Sequence, residues 1–285
     1  MNDILRLSHV TKTFASFSLQ DISFTLQPGF IMGLVGPNGS GKTTTIKLIM
    51  NMLHRDQGTI TVAGADNLVE ETVVKHRIGY VSDELYFIED WRPAEVCRAL
   101  QLYYASFNRD RFAQYLQQFQ LPQNQAVKHY SRGMKTRLMV AAALSRETQL
   151  LLLDEPTSGL DPAVRAELLD LLQDYISDGT RSVLFSTHIT TDLEKIADYI
   201  VFLYQGHLMF AKNKDEVLAD YRVMKGPPDQ LTPEWKRQLI GVRGSAMGFE
   251  GLIQTGALAK MPMGVVVEPA TLDDIIVYHA KGGVR

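Results

Sequence analysis

Gly36-Pro37-Asn38-Gly39-Ser40-Gly41-Lys42-Thr43 reads G-x-x-x-x-G-K-T and lies between two apolar segments. Ahead of it, Phe30-Ile31-Met32-Gly33-Leu34-Val35 has the composition of a buried strand; behind it, Thr44–Leu53 carries the apolar face of a helix. Strand, glycine-rich loop and helix in that order make a phosphate cradle. Glycines let the backbone wrap closely around phosphate oxygens, and a helix N-terminus adds unpaired N–H donors and a favourable dipole. Lys42 brings a point charge to the β- and γ-phosphates, and the Thr43 hydroxyl can ligate Mg²⁺, with Thr44 next in line at the helix start. The stretch predicts binding of a nucleoside triphosphate.

A second constellation lies at Leu150-Leu151-Leu152-Leu153-Asp154-Glu155-Pro156. Four consecutive leucines predict a strand buried on both faces, as in a parallel sheet. Acidic residues at its C-terminal end are delivered to the crevice where such sheets bind ligands. Asp154 can hold Mg²⁺ through its water shell, while Glu155 can orient or deprotonate an attacking water. Further on, Asp161-Pro162 predicts a helix cap followed by proline at the first helical position.

Elsewhere the chain changes texture three times. Leu5–Val10 and Ser18–Leu26 alternate apolar and polar residues, predicting antiparallel strands, and Gly58–Gly64 is a further strand. From Arg92 to Arg146 the apolar spacing is helical. Strand and helix then alternate through Leu150–Leu153, Pro162–Ile176, Ser182–Ser186, Thr191–Ala197 and Tyr199–Tyr204, which argues for a parallel sheet with flanking helices. Past residue 210 the pattern stops, and proline and glycine punctuate a strand-like Gly264–Glu268 and a helix-like Thr271–Tyr278. The expected fold is α/β: a P-loop NTPase core of mostly parallel sheet, an antiparallel β subdomain and an inserted helical subdomain. On this reading the nucleotide-binding domain spans 1–210, with the helices at about 88–146, and 211–285 form a small α+β extension.

Composition narrows the class. A chain of 285 residues can build one large domain or two small ones. With 45% apolar and 21% charged residues it fits a globular fold rather than a disordered one. A net charge of −3 supplies no global attraction to nucleic acid or anionic lipid, so no nucleic-acid partner is expected. The single cysteine, Cys97, rules out an internal disulfide and suits a reducing compartment, where it reads as a small core residue. No stretch reaches the roughly 18 apolar residues of a membrane-spanning helix, and Met1–Arg6 has no signal-peptide h-region. An intracellular protein is expected, reaching a membrane only through a partner.

Taken together, these residues resemble the nucleotide-binding subunit of an ATP-binding-cassette (ABC) transporter. Four motifs occur in the family's order: the P-loop at 36–43, Tyr130-Ser131-Arg132-Gly133-Met134-Lys135 in the place of the LSGGQ-type signature, the Walker B strand with Glu155, and Ser186-Thr187-His188. Ser158–Asp161 matches the D-loop, and Phe14 stands where the family places an aromatic on adenine. The resemblance covers about residues 1–210. It implies ATP and Mg²⁺ as cofactors and a head-to-tail homodimer or heterodimer. Each ATP would lie between one P-loop and the partner's Ser131–Met134, with Asp161 nearby. Ser131 is a good helix cap, so a dipole there would face the γ-phosphate. His188 is implied to contact that phosphate and the catalytic water. An integral membrane permease is the implied partner, which would put the subunit in the cytoplasm, peripheral on the inner face of the membrane.

Two departures stand out. After the strand Ile78–Val81 the family has a glutamine; here Asp83 occupies its place, keeping a Mg²⁺ ligand but losing the amide donor. Arg132 replaces the second signature residue, and signatures of this S-R-G-M kind resemble the exporter branch linked to antibiotic or peptide efflux, as does Pro269–Tyr278. The apolar stretch Leu85–Trp91 is the expected seat for a helix of the permease. Two other readings are a soluble ABC-type ATPase, which would carry two cassettes or a long coiled coil, and a low-turnover regulatory subunit, which only Asp83 favours.

Overall fold

The computed structural model describes residues 3–260 and 264–282; Met1 and Asn2 of the expected 1–210 domain, and 261–263 and 283–285 of the expected 211–285 extension, lie outside the described residues. Strands β1 (Leu5–Thr13), β2 (Ser18–Leu26) and β3 (Ile31–Val35) lead to helix α1 (Lys42–Ile49). Then follow β4 (Gln57–Val62), β5 (Ala65–Asp66), α2 (Glu71–Arg77), β6 (Ile78–Val81), α3 (Pro93–Tyr103), α4 (Arg109–Gln118) and α5 (Arg132–Leu144). The core closes with β7 (Leu150–Asp154), α6 (Pro162–Ile176), β8 (Ser182–Ser186), α7 (Thr190–Ile196), β9 (Tyr199–Tyr204), β10 (His207–Asn213) and α8 (Lys214–Asp220). The last part comprises β11 (Tyr221–Gly226), α9 (Pro233–Gln238), β12 (Ile240–Ser245), β13 (Gly248–Gln254), β14 (Val266–Pro269) and α10 (Leu272–Gly282).

The first ten strands form one sheet in the order β5-β4-β1-β2-β10-β9-β3-β8-β7-β6. Its half from β9 to β6 is parallel, and β1, β2, β4 and β5 pair antiparallel. β3, β7 and β8 are buried at every residue. That requires cover on both faces, which is why they read as apolar runs rather than alternating ones. The helical run predicted from 92 to 146 supplies α3, α4 and α5, with α5 lying against β6.

Two boundaries and one strand count differ from the sequence expectation. α1 stops at Ile49 rather than near 53, because Asn51 takes φ +53°. Its N–H reaches the Leu48 carbonyl while that of Met52 reaches Lys47, the paired bonds of a Schellman termination. The residue-210 break falls inside β10, which stays in the large sheet; the second sheet begins only at Tyr221. That sheet has four strands, β12-β13-β11-β14, where the sequence suggested one. Glycines at 241, 244, 248 and 251 interrupt the alternation that would have announced β12 and β13.

α10 ties this extension to the core. The Leu272 N–H donates to Glu194 of α7, and the Tyr204 hydroxyl of β9 donates to the Ala280 carbonyl. Between them His279 lies edge-on to Phe202 and Tyr221, its Nδ1 2.8 Å from the Ile275 carbonyl. Burial pulls the His279 pKa below its ordinary value near 6.5. Below that value the unfolded chain holds the extra proton while the native one resists it, so this contribution to stability is complete above about pH 6.5 and is lost as pH falls through the depressed pKa. Thermal melts at pH 7.5 and 5.5 are expected to show a smaller acid-side loss for His279→Leu than for the natural chain.

Candidate active site

β3, β8 and β7 are parallel neighbours, and Leu34 and Asp154 both pair in register with Ser186. Their C-terminal ends therefore open on one edge, with the loop from Gly36 after β3, Asp154-Glu155 after β7 and Thr187-His188 after β8. Residues far apart in sequence converge because every crossover in such a sheet returns the chain to the same edge.

The loop itself is shaped by glycines. At Gly36, φ is +150° and an added Cβ would stand 2.1 Å from the Leu203 carbonyl oxygen, so no side chain fits between loop and β9. Gly41 takes φ +110° as it caps α1, leaving the helix's first N–H groups free for a ligand. Lys42 is 6% exposed and folds back over the loop, donating to the carbonyls of Gly36 at 2.7 Å and Pro37 at 3.3 Å. Burial pulls its ammonium below the usual lysine range, and the Coulomb fields of Glu155 and Asp154 oppose that pull. Lys42 and the Asp154 and Glu155 carboxylates thus share one field. Thr43 is exposed and Thr44 half-buried at the helix start, while Pro37, Asn38 and Gly39 form the outer rim.

Buried polar atoms without partners cluster here. Ser40 Oγ, Asp154 Oδ1, Ser186 Oγ and Thr157 Oγ1 are all buried and unpaired. Such groups are costly unless something polar meets them. An Mg²⁺ ion with its water shell would fit beside this set: Asp154 Oδ1 and the exposed Thr43 hydroxyl would offer it oxygen ligands, and the ion would neutralise charge on the phosphates.

Glu155 is held with φ +52°, uncommon for a residue with a side chain, while its N–H donates to the Ser186 carbonyl. Its Oε2 lies 2.7 Å from His188 Nδ1 and accepts from the His188 backbone N–H at 3.3 Å. The carboxylate side chain is 16% exposed and the imidazole 54%, so the pair presents one wet edge. An oriented carboxylate beside an imidazole can position and polarise a water molecule.

Other predicted residues are placed as follows. Ser131 caps α5, its Oγ accepting from Met134 N–H at 3.3 Å, and the Cβ position of Gly133 is 3.3 Å from Leu160. Asp161 caps α6 by accepting from Ala163 and Val164, both at 3.1 Å. Phe14 is 38% exposed and stacks on Phe17 with centroids 6.3 Å apart, under Lys12 at 5.7 Å. A cavity of about 500 Å³ opens there beside Gly39. Asp83, expected at the metal, is held by an ion pair with Arg132, half-exposed on both sides. The two residues that depart from the family pattern are therefore each other's partners: an acid in one loop has drawn a base from the start of α5.

Sequence reasoning passed over Phe17 and Gln205, which line the Phe14 cavity. Phe17 could have been noticed three residues after Phe14. Gln205 could not, since it arrives by the β9–β10 turn, where the Gly206 N–H donates to Ser40. Of Leu85–Trp91, Leu85, Phe87 and Trp91 pack on the core, whereas Tyr86 and Ile88 are exposed. Tyr86 lines a groove of about 330 Å³ with Met50, Met52, Tyr104 and Arg146.

Comparison with known proteins agrees with this geometry. A family profile described as ABC transporter matches residues 19–158. An uncharacterized ABC transporter ATP-binding protein, YhcH of Bacillus subtilis, is 31% identical over 99% of this chain and 92% of its own length. The daunorubicin resistance ATP-binding protein DrrA3 of Streptomyces coeruleorubidus is 33% identical over 71% of this chain and 66% of its own. The Nod factor export ATP-binding protein I of Cupriavidus metallidurans is 28% identical, covering 100% and 93%. Among solved structures, an ATP-binding subunit of an ABC transporter superposes with a TM-score of 0.69 at 26% identity, covering 75% of this chain and 91% of its own. The phosphate loop, the acidic strand end and the histidine on one sheet edge thus have their relatives: the chain belongs to the ABC transporter ATP-binding family, whose members bind and hydrolyse ATP to drive transport.

Proposed function

We propose that this chain powers a separate integral membrane permease and works as a pair of nucleotide-binding subunits closing on two ATP molecules. The observation that carries the reading is the convergence of Lys42, Asp154 and the Glu155–His188 pair at the ends of β3, β7 and β8. Lys42 leaves the Gly36 carbonyl for the β- and γ-phosphates, Asp154 and Thr43 hold Mg²⁺, and Glu155 takes a proton from water while His188 fixes its position. Ser131–Met134 of the opposite subunit, a capped helix start whose dipole points its positive end outward, meets the γ-phosphate from the other side. Asp83 joins the metal only once Arg132 releases it. Phe14 supplies the face on which adenine stacks.

Among the described residues no helix is long and apolar enough to cross a membrane. In this reading the membrane-spanning path belongs to the permease, and the subunit sits peripherally on the cytoplasmic face. Export is the direction favoured by relatives named for daunorubicin resistance and Nod factor export. Affinity capture of the tagged chain from detergent-solubilised membranes of its host tests this. A stoichiometric integral membrane protein that stimulates ATP hydrolysis supports it; capture of no membrane protein overturns it.

A further inference from the structure

Glu155 and His188 are delivered by loops that run directly into helices. His188 is followed by α7, whose first turn carries Asp192. Glu155 is followed by a short turn and the cap at Asp161, with Arg165 in the first turn of α6. Arg165 Nε donates to Asp192 Oδ1 at 2.6 Å, and Nη2 donates to the Thr191 hydroxyl at 3.4 Å. Asp192 is only 1% exposed, and its Oδ2 is buried without a hydrogen-bond partner among the described residues.

Stability alone does not account for this pair. A buried carboxylate with one oxygen unmet is costly, and replacing such a pair by apolar residues of similar volume is often neutral or stabilising. What an ion pair adds is direction and a fixed distance. At about 100° per residue, Asp192 and Glu194 fall on opposite flanks of α7, with Leu193 between them. Leu193 seats the helix on the sheet, its Cδ1 lying 2.6 Å from where a Cβ on Gly33 would stand. Glu194 accepts from the Leu272 N–H at 2.8 Å and fixes the flank towards α10. Arg165 fixes the remaining direction, the spacing of α7 from α6.

We infer that Arg165 and Asp192 are positioning residues for hydrolysis: their ion pair sets the spacing of the two helix starts and so holds His188 Nδ1 2.7 Å from Glu155. The inference rests on the roles proposed above for Glu155 and His188. Both linkers are internally bonded, so they transmit a displacement instead of absorbing it. The Ser158 N–H donates to the Glu155 carbonyl and the Leu160 N–H to that of Thr157, while the Ile189 N–H donates to the Thr187 hydroxyl. A misplacement of about 1 Å at reacting groups can cost about 100-fold in rate.

ATP affinity and hydrolysis, measured separately on the full chain, test this. Asp192→Asn is expected to lower kcat about 10- to 100-fold and to leave the ATP Kd within about twofold, because the phosphate loop is untouched. Arg165→Met combined with Asp192→Leu removes both charges; it should melt no lower than the natural chain yet hydrolyse as slowly as Asp192→Asn. In a His188→Ala background, Asp192→Asn should cost less than about twofold more, since a residue acting through His188 has nothing left to position. A purely structural role predicts the same loss in both backgrounds. Natural kcat in the double variant, a double variant that melts well below the natural chain, or an undiminished loss beside His188→Ala overturns the inference, even if Asp192→Asn alone does not fold. Hydrolysis at the natural rate by Glu155→Gln would instead remove the reading on which it rests.

Discussion

Glu155→Gln is expected to bind ATP like the natural subunit and to hydrolyse it about 10²–10⁴-fold more slowly, the usual loss when a positioned base is removed. The geometry makes the substitution clean. The amide keeps the size of the carboxylate and an oxygen for the His188 N–H at 3.3 Å, so the loop with φ +52° at residue 155 keeps its backbone contacts. What disappears is basicity next to the imidazole now 2.7 Å away. Asp154, one residue earlier, is expected to do different work: its Oδ1 is buried and unpaired, suited to a hydrated cation rather than to proton transfer. With hydrolysis stalled, ATP binding and subunit association are linked by mass action. The variant is therefore expected to run as a dimer in ATP and as a monomer in ADP, by size-exclusion chromatography with light scattering. Hydrolysis at the natural rate, read by phosphate release, would remove Glu155 from the mechanism.

Lys42→Ala is expected to lower ATP affinity by roughly 10- to 100-fold. That follows from a hydrogen bond to a charged group worth about 1.5–3 kcal/mol, at tenfold per 1.4 kcal/mol. The fold should change little, for two opposing reasons. Removing Nζ leaves the Gly36 carbonyl without its 2.7 Å partner, which destabilises the free subunit. It also removes an ammonium that burial already penalises, as its lowered pKa records. Nucleotide titration by fluorescence, beside a thermal melt of both proteins, separates the two effects. Equal affinity in the two proteins would sink the phosphate-loop assignment.

The legible part of this site was the part written in contiguous residues. A phosphate loop must be built from neighbours, because its donors are successive backbone N–H groups, so 36–43 announced itself. The leucine run ending in Asp154 did the same, since a strand buried on both faces has no polar alternation to blur it. The caps at Ser131 and Asp161 are equally local, each a side chain accepting from N–H groups two or three residues on. What the sequence determined by itself was therefore the set of chemical parts, their order, and the family to which they belong.

Partnerships across the chain were another matter. Asp83 and Arg132 each read as an isolated departure; only the fold brings β6's outgoing loop to the start of α5 and makes them an ion pair. Glu155 and His188 met because β7 and β8 are neighbours, an adjacency that strand composition does not encode. Arg146 served in the sequence only to bound the helical stretch, whereas the tertiary structure buries it against Tyr104. Local propensity depends on the few residues on either side, whereas burial and ion pairing depend on which surfaces close over a group. Those surfaces come from segments dozens of residues away, and here only the packed structure determined them.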